Sequence, residues 1–152
     1  MKSRIHKALT LSTMAAVLFA GTLAAHKHDK DEHGNRQCSN ATLNGSYGLH
    51  ATGTIIGTGL FAAVGVFTFD GKGNLSAILT QKVNGNLVPV TITGTYTVSP
   101  TCIVSDTWYI SNGQVTTHES VIVDNGKEYA ILNTTPGNVV SGVAKKQFAE
   151  DD

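Results

Sequence analysis

Four acidic or aromatic residues stand where apolar strand faces are expected, and they set the chemistry within this chain's reach. In residues 102–111 the even positions are Val104, Asp106, Trp108 and Ile110, so a carboxyl group and an indole share a face with two aliphatic side chains. In 114–123, Glu119 falls among Val115, Val121 and Val123. Tyr96 lies on the apolar face of 87–98. A carboxylate among apolar groups must be paired, hydrated or protonated. Two such acids, Asp106 and Glu119, beside the Tyr96 phenol suit acid–base work in an isomerisation or cyclisation. The plainer reading leaves both acids at wet strand ends, or turned outward by a bulge, with Tyr96 and Trp108 as core aromatics. If these faces line an interior, Tyr96, Asp106, Trp108 and Glu119 are the candidate ligand-binding residues. His50 and His118 stand on the faces opposite Leu49 and Val121 and read as surface histidines.

Two other groups bring metal or redox chemistry into view. Cleavage after Ala25 would leave His26-Lys27-His28 at a new N-terminus. A free amine, two backbone amides and a third-position histidine form a square-planar nitrogen set for Cu(II) or Ni(II). Cleavage one residue earlier destroys that geometry, and the plainer reading of His26 and His28 is a solvated tail. Cys38 and Cys102 lack the close spacing of redox or metal pairs. An even cysteine count in an exported chain reads as one disulfide. The two lie 64 residues apart, a closure worth about 4 kcal/mol on chain-entropy grounds. Ser46 has no histidine–acid partner at recognisable spacing, and no cofactor is expected.

The elements that would position these groups are strands. Runs at 45–53, 58–69, 74–83, 87–98, 102–111, 114–123, 127–134 and 138–148 are separated by turn signals such as Asn84-Gly85-Asn86, Asn112-Gly113 and Asp124-Asn125-Gly126. In 87–98, Val88, Val90, Ile92, Gly94, Tyr96 and Val98 alternate with threonines from Thr91 to Thr97. Connections this short leave no room for crossover helices, so neighbours pair antiparallel. Eight such strands leave two bare edges unless they close, which points to an all-β, eight-stranded antiparallel up-and-down barrel. A two-sheet sandwich would need longer crossing connections. The run 58–69 is apolar on both faces, with Phe61, Phe67 and Phe69 opposite Leu60, Val64 and Val66, so a second cover over its outer face is expected.

Residues 1–25 read as a secretory signal peptide: Lys2, Arg4 and Lys7 precede a short apolar stretch that ends in small residues. Residues 26–37 read as a disordered leader rich in His and Asp, 38–148 as the barrel domain and 149–152 as an acidic tail. Export implies a periplasmic or extracellular product. Loss of Lys2, Arg4 and Lys7 takes the eleven basic residues to eight against eleven acidic ones, a net charge of −3. That balance supplies no basic face for nucleic acid. No membrane attachment is expected once the signal peptide is gone. An outer-membrane barrel would put the threonine face of 87–98 against lipid, and the aromatics form no pair of girdles.

Several segments together resemble a family of small secreted bacterial proteins of unknown function. They are Cys38-Ser-Asn-Ala-Thr-Leu-Asn-Gly-Ser-Tyr-Gly48, Phe67-Thr-Phe-Asp-Gly-Lys-Gly-Asn-Leu75, Gly94-Thr-Tyr-Thr-Val98, Val121-Ile-Val-Asp-Asn-Gly126 and Ser141-Gly-Val-Ala-Lys145. The architecture this resemblance implies is similar to calycin-type barrels of the allene oxide cyclase and dirigent type. It transfers no catalytic residue. The reading of function that follows is a non-enzymatic binder of a small apolar ligand or a partner. The alternative is a cofactor-free isomerase or cyclase using lumen carboxylates.

Overall fold

The computed structural model describes residues 37–148. The signal segment 1–25, the leader through residue 36 with His26 and His28, and the acidic tail 149–152 lie outside the described residues.

Eight strands follow in chain order: β1 (Asn44–Ile55), β2 (Gly59–Asp70), β3 (Asn74–Val83), β4 (Asn86–Val98), β5 (Ile103–Ile110), β6 (Val115–Val123), β7 (Glu128–Asn133) and β8 (Asn138–Lys146). Each pairs antiparallel with its sequence neighbours. β1 also pairs with β8, from Tyr47↔Lys146 to Ile55↔Asn138, which closes the barrel and leaves no edge. The expected strands are all present, each bound within two residues of expectation. Local chemistry explains this. The β3–β4 hairpin turns on Asn84 and Gly85, both at positive φ (45° and 87°), the two-residue geometry whose twist matches the flanking strands. At the β2–β3 turn, Asp70 Oδ1 accepts from the backbone N–H groups of Lys72, Gly73 and Asn74 at 2.7, 3.0 and 2.9 Å. Those bonds, with one from the Asn74 side chain, hold its carboxyl down at about 2.

Burial alternates along β3, β5 and β6 with period two. β2 packs Ala63, Phe67 and Phe69 inward. Its outer face is only partly covered by the described residues: Val66 is half-buried, but Leu60 is 74% exposed and Val64 54%. Gly94 of β4 lets the strands close up, because a Cβ there would run into the Thr107 carbonyl of β5.

The two ends of the barrel differ. At the end holding the β2–β3, β4–β5 and β6–β7 turns, Tyr47, Phe67, Phe69, Tyr96 and Tyr129 fill the lumen with ring contacts, Phe69 touching Tyr47, Tyr96 and Tyr129 edge-on at centroid distances of 5.5, 5.0 and 5.4 Å. A 3-10 turn, Asn40–Thr42, lies across this end, and Leu43 behind it is fully buried. Tyr96 OH shares its proton between the Asn40 and Leu43 carbonyls, 3.0 Å from each, while Val98 N–H donates to Asn40 Oδ1 at 2.8 Å. The Cys38–Cys102 disulfide ties the incoming chain to the β4–β5 turn, with 5.0 Å between Cα atoms. This end is plugged.

Candidate functional site

The opposite end, carrying the β1–β2, β3–β4, β5–β6 and β7–β8 turns, opens into a cavity of about 510 Å³. Side-chain size makes the space. Going from the plugged end along β1, the inward residues run from Tyr47 through Leu49 to Ala51, and along β2 from Phe69 and Phe67 to Ala63. The alanines leave the room that the aromatics fill at the other end. Leu49, Phe61, Leu79, Val88, Ile110 and Ile131 give the cavity an apolar wall, and Gln81, Thr116, His118 and Asn133 supply its polar groups.

One row of inward residues crosses four strands, from Tyr96 at the plugged end of β4 to Asn133 at the open end of β7. Tyr96 of β4 stands opposite Asp106 of β5, Asp106 opposite His118 of β6, and His118 opposite Asn133 of β7. His118 Nδ1 lies 2.9 Å from Asp106 Oδ1, and Asn133 Nδ2 lies 3.0 Å from His118 Nε2. The network assigns the protons. Thr135 N–H donates to Asn133 Oδ1 at 2.9 Å, which turns the amide nitrogen toward the ring. His118 Nε2 is therefore an acceptor, and its Nδ1–H donates to the carboxylate. The segment carrying Thr135 is pinned back onto β6: Thr117 N–H donates to Thr135 Oγ1, and Thr134 N–H to the Thr117 carbonyl, each at 2.8 Å.

Burial pushes the Asp106 carboxyl up from its ordinary value, while the hydrogen bond and charge of His118 oppose that rise. The Trp108 indole acts with His118 in favouring the charged form, although its N–H falls short of a hydrogen bond. Trp108 packs against the His118 ring at 3.6 Å between centroids and 30° between planes, with Phe67 on it at 4.6 Å. Tyr129, wholly buried, has its hydroxyl pushed well above the usual phenol value by burial first, then by the charges of Asp106 and Tyr47.

Of the residues singled out from sequence, Tyr96, Asp106 and Trp108 face inward, and Tyr96 spends its hydroxyl on the plug. Glu119 does not join them. It lies on the outer face with Val115, Val121 and Val123, while Thr116, His118, Ser120 and Ile122 point in. His118, expected at the surface, is 5% exposed. The cause is one residue of turn length. A two-residue turn at Asn112-Gly113 would set Glu119 opposite Asp106. The actual turn is Ser111-Asn112-Gly113, closed by Ile110 N–H to the Gln114 carbonyl at 2.9 Å, with Gly113 at φ 88°. A shift of one residue turns a whole strand over. The usable signal was the glycine at the third loop position, together with the need of a buried Asp106 for a partner.

Both ring nitrogens of His118 are engaged, Nδ1 by Asp106 and Nε2 by Asn133. The imidazole is not joined to a nucleophile, since Ser120 Oγ makes no hydrogen bond among the described residues. Nor do three His, Cys, Asp or Glu side chains gather into a metal set among the described residues.

No protein-family model matches the chain, and no curated protein matches it. Its likeness is to designed barrels. A de novo fluorescence-activating β-barrel superposes with a TM-score of 0.54 at 12% identity, over 70% of this chain and 94% of that one. A redesigned β-barrel bound to DFHBI gives 0.55 at 14% identity, over 70% and 97%. Identities this low speak for the shared fold alone.

Proposed function

We propose that this protein is an exported, non-enzymatic binder that holds one small apolar ligand in the open half of its barrel. The cavity carries the reading: 510 Å³ of largely apolar space, open at one end and floored by a packed aromatic cluster, falls within the range of small-molecule sites. That two similar designed barrels are bound to DFHBI supports the capacity of such a lumen to take a guest. The disulfide is consistent with an oxidising compartment, and so with a periplasmic or released product.

The isomerase or cyclase reading loses one of its two carboxylates, since Glu119 faces outward; the Asp106–His118 pair is what keeps acid–base chemistry within reach. Filling the cavity tests the binding reading. Ala51→Leu and Ala63→Leu together are expected to weaken binding of an uncharged apolar fluorescent probe such as Nile red by tenfold or more, with unfolding little changed. Probe binding untouched by the filled cavity would refute the assignment. Native mass spectrometry of protein from its own host should show a co-purifying mass that the filled variant lacks.

A further inference from the structure

One polar side chain of the cavity wall is both buried and unspent. Gln81 points inward from β3, is 7% exposed and lines the cavity, yet its side-chain amide makes no hydrogen bond among the described residues. Its neighbours are small. Gln81 stands opposite Ala63 of β2, Ala63 opposite Ala51 of β1, and Ala51 opposite Gly142 of β8. The row beside the amide therefore carries nothing longer than a methyl group, and that row borders the same cavity. The remaining polar groups of the wall are engaged, sealed or wet. His118 uses both ring nitrogens, Asn133 uses both ends of its amide, and Thr135 Oγ1 accepts from Thr117 N–H. Thr116 Oγ1 is shut off from the cavity. Asn112 and Gln114 bond each other at the rim, where they, Thr58 and Ser141 are exposed, and Asn138 opens β8 at the same rim.

We infer that the cavity selects an apolar molecule with a lactam or other cis-amide edge, which pairs with the Gln81 amide through two hydrogen bonds while its flat face lies on Ala51 and Ala63. The inference rests on the cavity-binding reading above and gives it a ligand class. A guest that fills the cavity strips water from the Gln81 N–H and C=O together, and each buried group left unmatched costs about 1–3 kcal/mol. A cis amide returns one donor and one acceptor on a single edge, at the spacing of the amide it meets. With no partner among the described residues to hold it, the Gln81 amide can turn to match either order of N–H and C=O. Other guests meet physical objections. A ketone or ester satisfies the Gln81 N–H and leaves its carbonyl bare. A hydroxyl offers one oxygen, which cannot span both atoms of the amide. A carboxylate sets lone pairs against Gln81 Oε1 and carries its charge in among aliphatic side chains. The methyl row adds the choice of shape, because a planar ring can lie on Ala51 and Ala63 with its edge still level with the amide.

Three ligands of one shape test it by calorimetry on the disulfide-bonded protein: hydrocarbostyril, a benzo-fused lactam; β-tetralone, in which a methylene replaces the N–H; and tetralin, which has neither polar group. Their own hydrophobicities differ, so each is compared between the unchanged protein and Gln81→Leu, which keeps the side-chain volume and removes the amide. The lactam is expected to bind the variant about tenfold or more weakly, the increment of buried hydrogen bonds lost. The ketone should lose less, and tetralin should bind the variant as well or better. In the unchanged protein an Overhauser contact should join the lactam N–H to the Gln81 side-chain amide protons, and that contact decides alone should the variant fail to fold. A lactam that loses no more than tetralin, or that shows no such contact, overturns the inference and leaves the cavity reading standing. Nile red bound with none of the three binding also overturns it alone. If Nile red does not bind either, the cavity reading itself falls.

Discussion

The two halves of this barrel share the same eight strands and differ in what those strands carry inward. The plugged half holds Tyr47, Phe67, Phe69, Tyr96 and Tyr129 under a 3-10 turn and a disulfide. The open half holds Ala51 and Ala63 on the same strands and an Asp–His–Asn row in its wall. The contrast shows a division of labour. Apolar packing and a covalent tie concentrate where nothing needs to enter, and that concentration sustains an end where burial has been given up to make room. Asp106, His118, Asn133 and Thr135 are bonded in series, which offsets the cost of burying them there.

That contrast can be tested with one residue type on one strand. Phe69→Ala, at the plugged end of β2, is expected to cost roughly 3–5 kcal/mol. Phe61→Ala, at the open end, should cost roughly 1–2 kcal/mol, because part of its surface already faces the cavity. Urea unfolding measures both, and equal losses would erase the distinction between the halves. Removing the disulfide with Cys38→Ser and Cys102→Ser should cost about 4 kcal/mol while ligand affinity at the far end stays as it was; a parallel loss of affinity would mean the halves are coupled. Tyr96→Phe deletes the hydroxyl bonded to the Asn40 and Leu43 carbonyls, for an expected loss of about 1–2 kcal/mol. Faster hydrogen exchange at Leu43, with the cavity amides unchanged, would place that loss in the plug.

The smallest effect is a pH dependence at the plugged end. Asp70 has its carboxyl lowered from 3.8 to about 2 by the turn it caps. The folded protein therefore binds fewer protons than the unfolded chain between those values. Its contribution is complete above about pH 4 and is lost as pH falls toward 2. Acid unfolding compared between the native chain and Asp70→Asn should show the variant flatter over that interval, and parallel curves would remove Asp70 from the account.

Much of the architecture was legible before any coordinates. The eight strands, their antiparallel order and the pairing of Cys38 with Cys102 follow from period-two alternation, turn residues and an even cysteine count. The inward placement of Asp106 and Trp108 follows from the same alternation, since Val104 and Ile110 share their face. The polar wall of the cavity was not legible. His118 looked like a surface residue because three valines argued for the other face, and nothing in the run 127–134 marked Asn133 as its partner.

Alternation and turn chemistry are local, so the chain determines them within a few residues of each other, and closure follows because eight paired strands otherwise keep bare edges. Which side chains meet inside the tube depends on register, and register accumulates across hairpins whose length a dipeptide does not fix. A third residue in the β5–β6 loop turned β6 over, exchanging Glu119 for His118 beside Asp106. The plug and the cavity belong to that same level. The plug arises because strands far apart in sequence bring Tyr47, Phe69, Tyr96 and Tyr129 to one end, a gathering that only the closed ladder carries out.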